Sequence, residues 1–320
     1  GFMVSKSLGN GGYASGTTIT HPAPAYNLLA SANMNDFNTV PRADDRIDAT
    51  SSVGPTLGGR KKPDLTAPGT NTMTTTRTGG FANLGGTSSA SPHSGGGIVL
   101  LCDMGTTNVM AGKAVLLNTT DAISDNGTGP SNDDFWVPGS LWNRRYGWGY
   151  LNLGAAYLHG LDVFVDAIPD HPDTADFRLY VGQMFTNERA TLVWQRHVAY
   201  NGAAYPAQIE ALSDLDLYAY RAADNATLAS STSLLDNVEQ IGVSENAVVV
   251  LKVAAAGSFD PNVPTEAFAF ATQENFVAAT GPAFAASFTH PGCVEAGQYF
   301  SISVAVTNTG DVPAHSVQVT

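Results

Sequence analysis

Residues 86–93 read Gly86-Thr87-Ser88-Ser89-Ala90-Ser91-Pro92-His93, and the apolar run Ile98-Val99-Leu100-Leu101 follows shortly after. That run predicts a buried helical segment, so the stretch presents a small, glycine-flanked serine at the start of a core helix. Free backbone N–H groups and the positive end of the helix dipole gather at such a start. Both favour negative charge developing beside the Ser88 hydroxyl. Two other readings fail on spacing. A nucleophile elbow requires glycine two residues after the serine, where Ala90 stands. A phosphate loop requires Gly-Lys-Ser/Thr, and Gly112-Lys113 is followed by Ala114. An isolated serine here would simply cap a helix.

Upstream, Phe2-Met3-Val4 leads into Ser7-Leu8-Gly9-Asn10-Gly11-Gly12, which predicts a strand delivering Asn10 to a loop at the C-terminal edge of a sheet. Taken alone, Asn10-Gly11 is a turn signal. Between Asn10 and Ser88 lie His21-Pro22-Ala23, the stretch from Asn27 to Ala32, Ser51-Ser52-Val53-Gly54-Pro55 and the stretch from Arg60 to Gly69, which contains Lys62-Pro63-Asp64 and Ala67-Pro68-Gly69. Downstream comes Gly147-Trp148-Gly149-Tyr150-Leu151-Asn152.

In this order the landmarks resemble the subtilisin family of serine proteases, whose serine motif is Gly-Thr-Ser-x-Ala-Ser/Thr-Pro-His. Ser89 stands where that family usually has methionine. The resemblance implies Ser88 as nucleophile, Asn10 as an oxyanion hydrogen-bond donor, and Ser7, Leu8 and Gly9 as substrate-binding residues. It makes His93 structural, and His21 sits at a loop position. The family's Asp-x-Gly and His-Gly-Thr-x-Val-Ala-Gly motifs both precede the asparagine segment, and this sequence begins too late to contain either. The chain therefore reads as the C-terminal portion of a longer endopeptidase whose triad histidine and aspartate lie upstream. Its first residue, glycine, and its last, inside the alternating Ser316-Val317-Gln318-Val319-Thr320, fit that expectation.

The expected fold class is α/β, a subtilisin-like parallel sheet lacking its N-terminal part, over residues 1–162. The helix from Ser88 should run to about Met104, its Gly95-Gly96-Gly97 triplet compensated by packing against the sheet. Asn108 to Leu117 has the spacing of an amphipathic helix. From about Phe164 helical spacing gives way to short β-rich runs such as Ala190 to Trp194 and Ala247 to Val253, predicting an antiparallel sandwich over residues 163–278. In it, Leu192-Val193-Trp194, Asp214-Leu215-Asp216-Leu217 and Asn237-Val238-Glu239 resemble the jelly-roll domain that follows the catalytic domain in some alkaline subtilisin-like proteases. Asp214 and Asp216 point the same way on a strand and could share a structural calcium ion; catalysis itself calls for no cofactor. Residues 279–320, with a hairpin signal at Asn308-Thr309-Gly310-Asp311, resemble the start of an immunoglobulin-like domain cut short.

A chain of 320 residues, 43% hydrophobic, can bury a large core. Only 13% of residues are charged, and 15 basic against 28 acidic residues give a net charge of −13. That balance argues against nucleic acid and anionic membrane as partners and leaves polypeptide substrates. Low charge, 33 glycines and abundant Thr, Ser and Asn suit a secreted, loop-rich enzyme. The two cysteines, Cys102 and Cys293, read as separate thiols rather than a disulfide framework. No apolar run approaches the roughly 18 residues that span a bilayer. The competing hypothesis is a noncatalytic chain that keeps the scaffold and binds partners through its β domains. Retention of Asn10 together with Ser88 favours the enzyme, because a structural descendant has no physical need for that pair.

Overall fold

The computed structural model describes residues 3–13, 17–123, 140–170, 176–199, 209–257, 259–289, 301 and 303–314. The polar stretch from Ser124 to Asn132, Cys293 and the terminal strand from Ser316 lie outside them.

The first region is built on strands β1 (Ser5–Ser7), β2 (Leu29–Asn35), β3 (Arg46–Ile47) and β4 (Leu65–Pro68). β2 is central, parallel to both β1 and β4, with β3 antiparallel at its end. Its residues Leu29 to Met34 are all buried, as a strand covered on both faces requires. A small exposed hairpin, β5 (Thr72–Thr75) with β6 (Phe81–Leu84), precedes helix α1 (Thr87–Asp103). Helix α2 (Val109–Asn118) and the short α3 (Leu153–Leu158) follow. Two serine hydroxyls of the sheet bind α1: Ser31 Oγ donates to Ser94 Oγ at 2.8 Å, and Ser5 Oγ donates to the Ser91 carbonyl at 2.8 Å.

Three expectations about these helices need correction. The run Ile98 to Leu101 is not wholly buried: Val99 is 67% and Leu100 52% exposed, whereas Leu101 is 2% exposed. Consecutive helical residues are about 100° apart, so four in a row cannot all face one core. The glycine triplet is explained chiefly by Gly97, where an added Cβ would lie 2.7 Å from Leu153 Cδ2 and 3.4 Å from Leu116 Cδ2. Helix-to-helix packing, not the sheet, requires that glycine. Finally, α2 is not amphipathic, since every residue from Ala111 to Asn118 is buried. The sequence that covers its second side lies far along the chain.

That cover comes from strands β7 (Val163–Pro169), β8 (Phe177–Met184), β9 (Arg189–Trp194), β10 (His197–Ala199), β11 (Ile209–Ala211), β12 (Leu215–Arg221), β13 (Thr227–Ser231), β14 (Val238–Gly242), β15 (Ala247–Ala255), β16 (Thr265–Ala271) and β17 (Phe276–Ala279). They form two antiparallel sheets, ordered β14-β9-β16-β7 and β13-β12-β15-β8-β17, with β10 and β11 as a separate pair. Their facing sides share one core containing Tyr180, Leu192, Trp194, Leu217, Leu251, Phe268 and Phe270. The opposite side of the four-stranded sheet contributes Val193, Val238, Ala269 and Ala271 to the cluster that holds Val115, Leu116 and Leu117 of α2. The chain closes with β18 (Phe284–Thr289) paired antiparallel to β19 (Ser303–Asn308). The Asp311 carboxylate ties this pair back by accepting from the Thr280 and Gly281 N–H groups.

Candidate active site

Asn10 and Ser88 converge because one follows β1 and the other opens α1, and α1 packs along β1 and β2. Gly9 takes φ +124°, a conformation suited to glycine, and an added Cβ there would lie 2.7 Å from Ser52 Oγ. Its N–H donates to Thr87 Oγ1 at 3.1 Å. Thr87 then donates twice to Asn10 Oδ1, from its N–H at 2.9 Å and its hydroxyl at 2.9 Å. Gly86 takes φ +91°, and a Cβ on it would meet the Asn10 amide at 2.9 Å. The asparagine side chain is thus clamped by its oxygen against the two residues preceding Ser88.

The first turn of α1 leaves one donor over. Thr87 N–H is spent on Asn10, while Ser89 and Ala90 N–H both donate to the Gly86 carbonyl, at 2.9 and 3.3 Å. Among the described residues no acceptor is assigned to Ser88 N–H or to Asn10 Nδ2. Ser88 and Asn10 are themselves exposed. Gly69 seals the floor, because a Cβ there would lie 2.8 Å from the Gly86 carbonyl oxygen and 2.9 Å from Ala90 N. His93 Nδ1 donates to the Ser89 carbonyl at 3.0 Å, inside the helix. Among the described residues no histidine is hydrogen-bonded to the Ser88 hydroxyl. His21 is exposed.

The other sequence-derived site residues divide. Ser7 accepts from Lys6 Nζ at 2.5 Å and is half-buried. Leu8 is fully buried in the core with Ala30, Ala32 and Tyr146; its N–H donates to the Ser31 carbonyl and its carbonyl accepts from Thr20 N–H. It backs the site rather than facing it. Asp214 immediately precedes β12 and Asp216 lies within it, and burial first, then the Asp216 charge, raises the Asp214 pKa. Asp216 Oδ2 accepts from the Tyr218 hydroxyl at 2.7 Å. Among the described residues no group of three or more His, Cys, Asp or Glu side chains gathers as metal ligands.

Two features lie outside what sequence reasoning finds. Thr87 stands in the sequence only as part of a motif, although it holds Asn10 in place. The other is a buried charge cluster beneath the sheet. Asp64 accepts from Lys62 Nζ at 2.5 Å, pairs with Lys113 Nζ at 3.0 Å, and takes the Ala30 N–H at 2.6 Å. Both ammonium groups also donate to the Leu28 carbonyl at 3.1 Å. Burial drives the Lys62 pKa down to about 7 despite the Asp64 charge. The two lysines outweigh burial at Asp64 and hold its carboxyl below the usual range. A lysine at position 113, inside an otherwise apolar helix, is the signal.

Comparison with known proteins places this geometry in context. Residues 1–149 match Peptidase_S8, the Subtilase family. Serine protease AprX of Bacillus subtilis (strain 168) is 31% identical over 162 residues, 43% of this chain and 36% of that protein. Thermophilic serine proteinase of Bacillus sp. (strain AK1) is 32% identical over 128 residues, 40% of this chain and 28% of that protein. The chain thus spans only 28–36% of the length of these curated relatives. Among solved structures, Sphericase is similar at 22% identity and a TM-score of 0.37, over 46% of each chain. No helix among the described residues is long and apolar enough to cross a membrane.

Proposed function

We propose, from the subtilase-like region over residues 1–149, that this chain is the C-terminal part of a secreted serine endopeptidase. The observation that carries the proposal is the clamp on Asn10. With Oδ1 held by Thr87, the residue before Ser88, Nδ2 remains as an uncommitted donor at the start of α1, as does the Ser88 N–H. In this reading the Ser88 oxygen attacks the peptide carbonyl carbon, and the carbonyl oxygen, now negative, is received by Asn10 Nδ2 and Ser88 N–H. The serine proton passes to a histidine oriented by an aspartate, both upstream of these residues, and then to the departing amine. Water attacks the acyl-serine by the same route in reverse. Ser7 and Gly9 line the substrate side, with Leu8 behind them. The composition, low in charge and rich in small polar residues, supports an extracellular setting.

Fluorophosphonate labelling tests this. The full-length protein should be modified at Ser88 and lose activity in step, and Ser88→Ala should abolish both. The 320-residue chain, without the base, should label slower by on the order of 10⁴ to 10⁶. Rapid labelling of that chain alone would mean that a base lies within it, and an unreactive full-length protein would overturn the enzymatic reading.

A further inference from the structure

Most of what touches α2 on its second side belongs to the four-stranded sheet, and the contacts are of a kind that interior layers make. Val193, Val238, Ala269 and Ala271 join the apolar cluster of Val115 to Leu117. The sheet also terminates the helix. Gln240 Nε2 donates to the Leu117 carbonyl at 3.1 Å, and Thr191 Oγ1 donates to Asn118 Oδ1 at 2.8 Å. The last carbonyls of a helix have no partner within it, so a buried helix end must take donors from elsewhere. Here Gln240 of β14 and Thr120 Oγ1, at 3.0 Å, both donate to the Leu117 carbonyl, while Thr191 of β9 holds the Asn118 side chain.

Three further links extend the contact. Arg189, at the start of β9, donates through Nη1 to Thr120 Oγ1 and to the Trp148 carbonyl, each at 3.0 Å. The latter precedes Tyr150, whose neighbour Leu151 N–H donates to the Thr66 carbonyl of β4. Asp236, just before β14, accepts from Lys61 N–H at 2.7 Å and pairs with Lys61 Nζ at 3.1 Å. Asn27 and Arg196 exchange two hydrogen bonds, at 2.7 and 3.0 Å. The links therefore reach β4, whose far end runs into Gly69 under the first turn of α1.

We infer that the sheet β14-β9-β16-β7 is the outer wall of the peptidase region, docked obligatorily through α2, and that the Ser88 site holds its geometry only while this wall is in place. The partner this face fits is the α2 layer of the same chain. A hinged accessory domain would instead show a polar, separable interface. Removing the wall would expose the apolar side of α2, leave the Leu117 carbonyl with Thr120 Oγ1 as its remaining donor, and strip Asn118 Oδ1 of the Thr191 hydroxyl.

The test keeps the full-length protein and cuts one bond. A recognition sequence for a site-specific protease is inserted after Leu161, which is 69% exposed and lies between α3 and β7. After cleavage the two pieces should co-elute. Separated in mild denaturant and returned to buffer, the Ser88 piece should label with fluorophosphonate at least tenfold more slowly, show at least hundredfold faster amide exchange over 111–118, and recover both on addition of the other piece. A separated Ser88 piece that labels within twofold of the uncut rate, or keeps its α2 amides protected, would overturn the inference. The labelling arm rests on the proposed function. If the uncut protein does not label, that reading fails, while amide exchange still decides this one.

Discussion

Replacing Asp64 by asparagine tests the energetics of the core on which the site rests. The aspartate is 1% exposed and neutralises two ammonium groups that are 4% and 6% exposed. The substituted amide would keep the shape and one acceptor but leave Lys62 and Lys113 facing each other without a counter-charge. Breaking one buried pair typically costs about 3–5 kcal/mol, because the remaining charge stays desolvated. The expected loss at pH 7 is therefore at least about 3 kcal/mol. The pH dependence is more specific. In the native protein Lys62 already has its pKa lowered to about 7, and removing the Asp64 charge lowers it further. The folded variant then sheds a proton that the unfolded chain keeps up to about pH 10. Stability rises with pH wherever the unfolded state binds more protons. Between about pH 5 and 7 the variant should accordingly recover part of its deficit relative to the native protein, by up to ~1.4 kcal/mol per pH unit. Adding Lys113→Met should recover more, a coupling of opposite sign to simple additivity. Urea unfolding of the full-length protein, with amide exchange over Leu29–Asn35 as local readout, measures all three. A loss under about 1 kcal/mol, or a deficit that does not shrink as pH rises from about 5 to 7, would refute the reasoning.

Thr87→Val retains volume but removes the hydroxyl that accepts from Gly9 and donates to Asn10; in the full-length enzyme kcat should fall about ten- to a hundredfold with KM little changed, and steady-state kinetics showing a KM effect alone would contradict the positioning role. Glu239 is fully buried, and its pKa is pushed up to about 7, burial outweighing the Lys61 charge. A raised carboxyl stabilises the fold while protonated, so the native protein should lose on the order of 3 kcal/mol between about pH 4.5 and 7 relative to Glu239→Gln; parallel stability profiles of the two would show that Glu239 is ionised throughout.

Local signals are legible because they are written locally. The serine stretch puts a helix at Thr87–Asp103, and the runs from Ala190 and Ala247 become β9 and β15. What stays hidden depends on partners distant in sequence. The spacing of Val109 to Leu117 implies a solvent face, yet β9 and β16, some 80 and 150 residues on, cover it. Val99 and Leu100 depart from expectation because hydrophobicity along a run does not say which azimuth meets the core. The clamp on Asn10 needs three residues from two elements, and no one-dimensional pattern encodes Thr87 Oγ1 serving Gly9 and Asn10 at once.

The burial of α2 from Ala111 to Asn118 bears on how such a chain could be shuffled during evolution. The stretch from Ala111 to Asn118, buried all round, cannot drift by surface substitution, so changes there must be answered by changes on β9, β14 or β16. A gene fusion joined near residue 162 would pair this helix with a sheet never fitted to it. The recombination joint that respects the packing lies after β17, beyond Ala279, where the chain leaves the two packed sheets.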